Sequence, residues 1–179
     1  MNIFASSECP IQSALWLDDK RKNKMILESC QIMSSVVRRH DPDTTLMVYH
    51  QTHIHHPCTI WAGDSRANFL WLYRHCGALI LQKFGPHKSA RLMPIFKQYI
   101  EDGLFPCETA TPFSNSARNQ SVGVDYSHVE DVHYAYKLYL NERWYNDKRQ
   151  PTWSWGEKPW WFVYNWTPKL LEKHGEKIL

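Results

Sequence analysis

With 179 residues, 43% hydrophobic and 22% charged, the chain is long enough for one domain with a real core and too short for two. A net charge of +3 suits a phosphate-bearing partner but falls far below the charge density of an architectural DNA binder. Five widely spaced cysteines without a CxxC, no basic-then-apolar leader and no apolar run approaching about 18 residues argue against a disulfide scaffold, a secretory signal and a membrane span. The expectation is a soluble cytoplasmic protein with reduced thiols. Aromatic residues are the outlier, since nine Trp, nine Tyr and seven Phe make 14% of the chain.

Taken in order, Met1 to Phe4 places Ile3 and Phe4 at the very terminus, where burying them would hold the nearby α-amino group still. Pro10 suits a helical first turn, and Ile11, Ala14 and Leu15 predict a short helix. Asp18–Arg39 is the most informative stretch. Ile26, Cys30, Met33 and Val37 form an apolar stripe at helical spacing, while Arg21, Lys24, Glu28, Gln31 and Ser35 form the opposite, polar face. Lys24 and Glu28 are i,i+4 neighbours in the weaker orientation. Such a face is ordinarily a solvated one with incidental ion pairs; the segments that accompany this helix raise the alternative.

His40-Asp41-Pro42-Asp43 ends that helix. His50, His53, His55 and His56 crowd into the next segment, yet no HExxH or Cys/His quartet accompanies them. The expectation is no metal and no cofactor, with Thr52, His53 and His56 lining a polar wall stiffened by Pro57. A helix capped by Asp64 or Ser65 should run to Phe84 and stop at Gly85, its core face leaving Arg66 and Asn68 over for other work. Another should pass through Leu92 and Ile100 to Gly103.

Phe105 to Gly123 is rich in Ser, Thr, Asn and Pro and reads as a long ordered loop, offering Thr111, Asn115, Arg118 and Asn119 to a ligand. Ser127-His128-Val129-Glu130 has the form of a capping box opening a last helix, whose buried face continues through Tyr136 to Arg143 and Trp144. The segment 151–179 begins with an aromatic tail containing Trp153, Trp155, Trp160 and Trp161 among basic residues. Most of these rings are expected to lie over the core, and one or two to be exposed for base stacking. Lys169 to Leu179 reads as a short terminal helix. The predicted architecture is therefore mainly α, a single-domain helical bundle over 1–179 with long ordered loops.

MNIFA, LDDKRKNKMILESCQIMS, THIHHPCTIWAGDSRANFLWL, TPFSNSA and VEDVHYAYKLYLNERWYNDKRQPTW occur in this order. Together they resemble small phage-encoded proteins described as pyrimidine-dimer DNA glycosylases of the endonuclease V type. The resemblance implies an enzyme of DNA repair, a glycosylase with AP lyase activity whose partner is double-stranded DNA carrying a damaged or modified base. It implies Glu28 as the catalytic carboxylate and a nucleophilic α-amino group. Lys20, Arg21 and Lys24 would hold phosphates and Gln31 would hydrogen-bond. His53, His56, Arg66, Asn68, Asn115, Arg118 and Trp153 complete the expected substrate contacts. An α-amino group suits the role because its ordinary pKa, roughly 7.7–8.0, leaves much of it neutral at pH 7.

In the characterised enzymes the initiator Met is removed and a small second residue supplies the amine, whereas residue 2 here is Asn. Either Met1 carries the amine, or Asn2 does after cleavage, or the lyase mechanism does not apply. Two further readings stay open. One is an enzyme acting on a free nucleotide or modified base. The other is a non-enzymatic host-interaction or DNA-binding protein.

Overall fold

Helices α1 (Pro10–Leu15), α2 (Asp19–His40), α3 (Pro57–Asp64), α4 (Arg66–Leu81), α5 (Met93–Asp102) and α6 (Val132–Tyr145) carry the fold. A two-residue strand β1 (Arg118–Asn119) pairs antiparallel with β2 (Val124–Asp125). The computed structural model describes residues 1–164. The expected helix from Lys169 to Leu179 lies outside them. The mainly α class is as expected; the small hairpin, which begins within the stretch read as loop and ends just beyond it, is not. Its turn needs Gly123 at φ +70°, a conformation open to glycine without strain.

The apolar stripe of α2 behaves as its periodicity demands. Ile26, Cys30, Met33 and Val37 are fully buried, and α2 packs on α3 and α4. Ser65 serves both as the C-cap of α3 and as the N-cap of α4, its Oγ accepting the N–H of Asn68 at 3.1 Å. Helix α4 stops at Leu81 rather than Phe84. Gly85 turns at φ +75° ahead of Pro86, and the Lys83 ammonium donates to the carbonyls of Phe84, Gly85 and Pro86, which tightens that turn.

Nor does the expected capping box open α6. Ser127 donates its N–H and its hydroxyl to Asp125, so it is spent closing the hairpin. Asp131 caps instead, its Oδ1 accepting from His133 N at 2.9 Å and Tyr134 N at 3.0 Å. All five cysteines are free; Cys30 and Cys76 meet in the core with their sulfurs 3.8 Å apart.

The aromatic tail covers one end of the bundle. Trp161 stacks on Trp144, and Trp153 and Phe162 meet it edge-on. Trp155 and Trp160 are left exposed, at 60% and 64%. Not every buried indole finds an acceptor, since Nε1 of Trp16 and of Trp161 has none among the described residues. Among the described residues no helix is long and apolar enough to cross a membrane.

Candidate functional site

A cavity of about 700 Å³ opens where the chain start, the first turns of α2, the head of α3, the hairpin and α6 converge. Glu28 lies in its wall, largely buried, and among the described residues it is the only acidic one that lines it. One carboxylate oxygen, Oε2, accepts the backbone N–H of Asn2 at 2.9 Å. The other, Oε1, pairs with the Lys24 ammonium at 3.2 Å. The i,i+4 spacing on α2 supplies the second contact; the first requires the chain to return from its beginning.

Asn2 is held there by its own side chain. Oδ1 accepts the N–H groups of Ile3 at 2.8 Å and Phe4 at 3.0 Å, and Nδ2 donates to the carbonyl of Ser116 at 3.0 Å. Phe4 adopts a left-handed φ of +44°, which costs on the order of 1–3 kcal/mol for a bulky residue and persists only because its surroundings enforce it. Phe4 is nearly buried against Tyr136 and Tyr139 of α6, with ring centroids 6.2 and 5.8 Å away. The anchored aromatic and the Asn2 side chain together turn the segment so that its nitrogen faces Glu28.

Five cations line the cavity: Lys20, Arg21, Lys24, Arg118 and Arg143. Their charges are not equally available. Arg21 Nη1 contacts both oxygens of the buried Asp18 at 3.0 Å, and Nη2 contacts Asp147 at 3.0 Å. Lys20 pairs with Asp147 at 2.7 Å. Trp144 Nε1 closes the network with a 2.7 Å bond to Asp18. Arg21 thus builds the wall, its charge neutralised by carboxylates, instead of waiting for a phosphate. Among the described residues Arg118 and Arg143 have no carboxylate partner, and Nη1 of Arg143 is buried without any hydrogen bond. An unpartnered, buried guanidinium N–H is costly, and an anion in the cavity would satisfy it.

Met1, Asn2, Lys20, Arg21, Lys24, Glu28, His56, Pro57, Asn115, Arg118 and Asn119 are thus the sequence-expected residues that the fold brings together. Asn115 reaches the wall, but its amide is committed to backbone groups of Ala117, Tyr126 and Val129. The others lie elsewhere. Gln31 lies one helical turn beyond Glu28, outside the lining. His53 is exposed, with a left-handed φ of +48°, and lies near the His56 ring but outside the cavity lining. Arg66 pairs with Glu108 at 2.7 Å and donates to the carbonyls of Ile100 and Gly103, tying α4 to the end of α5. Asn68 is buried; it bonds the carbonyl of Trp61 at 2.8 Å and both Oγ1 and N–H of Thr111, so it pins the long loop. Trp153 donates to the carbonyl of Trp16 at 2.8 Å and belongs to the aromatic lid.

Arg143 and Tyr139 are among the lining residues that sequence reading missed, with Met25, Ser116 and Ser127. The signal was there: Arg143 falls on the buried face of α6, where a cation needs an explanation. Among the described residues no group of three or more His, Cys, Asp or Glu is gathered in an arrangement that could hold a metal ion. No protein-family model, curated protein or solved structure matches the chain. Function is therefore read from this geometry.

The electrostatics of the cavity suit nucleophilic and acid–base work. Burial, together with the α-amino group, His53 and Arg118, lowers the pKa of His56 against the opposing pull of Glu28. Cys58, beneath the wall, is pushed up by burial and stays a thiol.

Proposed function

We propose that the chain is a DNA glycosylase, with AP lyase activity, that excises a damaged or modified pyrimidine by attack at C1′ of its nucleotide. The observation that carries this reading is the contact between Glu28 and the nitrogen of Asn2 inside a cavity whose other charged side chains are cations. Removal of Met1 would turn that amide nitrogen into an amine already at hydrogen-bond distance from a carboxylate. With Met1 retained, its amine lies in the same cavity. Glu28 then accepts the proton the amine must lose and faces the positive charge that develops at C1′ as the base departs. The amine nitrogen bonds C1′ as the electron pair of the glycosidic bond leaves with the base. The C1′–O4′ bond then breaks, O4′ taking a proton as the sugar ring opens to a Schiff base, and loss of a C2′ proton expels the 3′ phosphate by β-elimination. A cavity of about 700 Å³ accommodates an extruded nucleotide, and Arg118 and Arg143 are placed to meet its phosphates.

A second reading has its own support. With Arg21 and Lys20 neutralised, the cavity offers few free cations for a long duplex, which favours an enzyme acting on a free nucleotide.

Borohydride trapping on an abasic-site duplex tests the proposal. The wild type should form a covalent adduct at its first residue, whose mass identifies the reacting amine. Glu28→Gln should lose turnover by about 100-fold or more while retaining most DNA affinity. No adduct and no strand cleavage, with DNA binding insensitive to salt, would refute the lyase reading. Unchanged behaviour of Glu28→Gln in every assay would point to a binding protein.

A further inference from the structure

Of the four clustered histidines, one is treated differently by the fold. His50, His53 and His55 are exposed, whereas His56 is half-buried and lines the cavity. Its ring also begins α3, with Nδ1 accepting the backbone N–H of Cys58 at 3.2 Å. A ring nitrogen that accepts an N–H carries no proton, so the neutral imidazole must keep its proton on Nε2. That edge makes no hydrogen bond among the described residues. The groups facing the ring are the α-amino group, His53, Glu28 and Arg118; three of these and burial favour the uncharged form.

Several other donors in the wall are committed or charged; the Ser116 hydroxyl is neutral and unpartnered among the described residues, but it rotates freely and holds no donor at a fixed edge. Asn115 Nδ2 gives its hydrogens to the carbonyls of Tyr126 at 3.1 Å and Val129 at 2.9 Å, and Asn2 Nδ2 to that of Ser116. Arg118 and Arg143 are cations, which seek a permanent anion such as phosphate. A neutral N–H held at a fixed edge suits a different acceptor, one that gains negative charge only as a bond breaks. When the C1′–N1 bond of a pyrimidine nucleotide breaks, its electron pair passes to N1 and delocalises onto the ring carbonyl oxygen. We propose that His56, through Nε2–H, donates a hydrogen bond to a carbonyl oxygen of a pyrimidine nucleotide bound in this cavity. The assignment rests on reading the cavity as a nucleotide site.

The probe is thymidine 5′-monophosphate, titrated into the ¹⁵N-labelled full chain and followed at the His56 ring resonances. The free protein should show the Nε2-protonated tautomer, and the Nε2–H resonance should move on titration. His56→Asn keeps an acceptor where Nδ1 caps α3 but its amide N–H falls short of the Nε2 position, so nucleotide affinity should fall roughly tenfold. His56→Gln places an amide donor near Nε2 but loses the cap; it should bind within about threefold of wild type while unfolding at lower temperature.

A proton on Nδ1, no response of His56 to the nucleotide, or wild-type affinity in His56→Asn overturns the assignment. Cleavage of UV-irradiated plasmid reports on the enzyme separately. Absent cleavage with His56 engaged removes the glycosylase and leaves the donor; cleavage without His56 engaged does the reverse.

Discussion

Acid should loosen this protein through one ring outside the lining of the candidate site. His75 on α4 is fully buried. Its Nδ1 contacts the carbonyl of Pro10 at 3.0 Å, its ring stacks on Trp71 with centroids 5.1 Å apart, and its Nε2 has no partner among the described residues. A second proton would place a charge where nothing solvates it, so burial pulls the pKa from 6.5 down to about 4. Between those values the unfolded chain holds a proton that the folded chain does not. Stability is therefore full above pH 6.5, falls as the pH drops through this window, and levels off below about 4. At about 1.4 kcal/mol per pKa unit the loss amounts to about 3 kcal/mol, a large share of the roughly 5–15 kcal/mol that keeps a domain folded.

The measurement is urea unfolding followed by tryptophan fluorescence between about pH 7.5 and about pH 4. His75→Asn is the comparison, because an asparagine amide can still donate to the Pro10 carbonyl and does not titrate. His40, His56 and His87 are also lowered, burial being the largest cause for each, and they contribute equally to both proteins. The wild type should lose about 3 kcal/mol more than His75→Asn over this range. Equal acid dependence in the two proteins would refute the reasoning. Because His75 clasps α1, which follows the segment bearing Asn2, the acid-weakened protein should also exchange the amides of residues 2–4 sooner.

Asp18→Ala strands the buried Arg21 guanidinium beside Asp147 alone and orphans Trp144 Nε1; it should cost about 3–5 kcal/mol in urea unfolding. Asn68→Ala removes the bonds to Trp61 and Thr111. About 2 kcal/mol of stability should go with it, and hydrogen exchange should quicken near Thr111. Arg143→Gln relieves a buried unpartnered N–H, so stability should hold or rise, whereas affinity for an abasic-site duplex should drop about tenfold and its salt slope by about one. Unchanged affinity in Arg143→Gln would remove that residue from the anion-binding role.

Much of the fold was legible because it follows from local periodicity. The α2 stripe, the Pro10 start of α1 and the Ser65 cap each depend on residues within a turn or two of one another. The capping box at Ser127 misled because two acceptors competed: Asp125 claims the serine and Asp131 bonds two amides of α6. Arg66 and Asn68 looked free because a helix face carries no record of which carbonyls a distant loop will bring to it. Arg143 went unselected for the opposite reason, since its position on a buried face conceals a cavity beside it.

By itself the sequence determined the helices, the buried stripe of α2, and the adjacency of Lys24 to Glu28, all short-range consequences of a 3.6-residue turn. Only the tertiary structure decided that the nitrogen of Asn2, 26 residues from Glu28, rests on that carboxylate. It alone decided that Asp147, 126 residues from Arg21, neutralises that cation, leaving Arg118 and Arg143 as the charges open to a ligand. The physical reason is that a charge is available only until a partner meets it, and those partners arrive through the packing of remote segments.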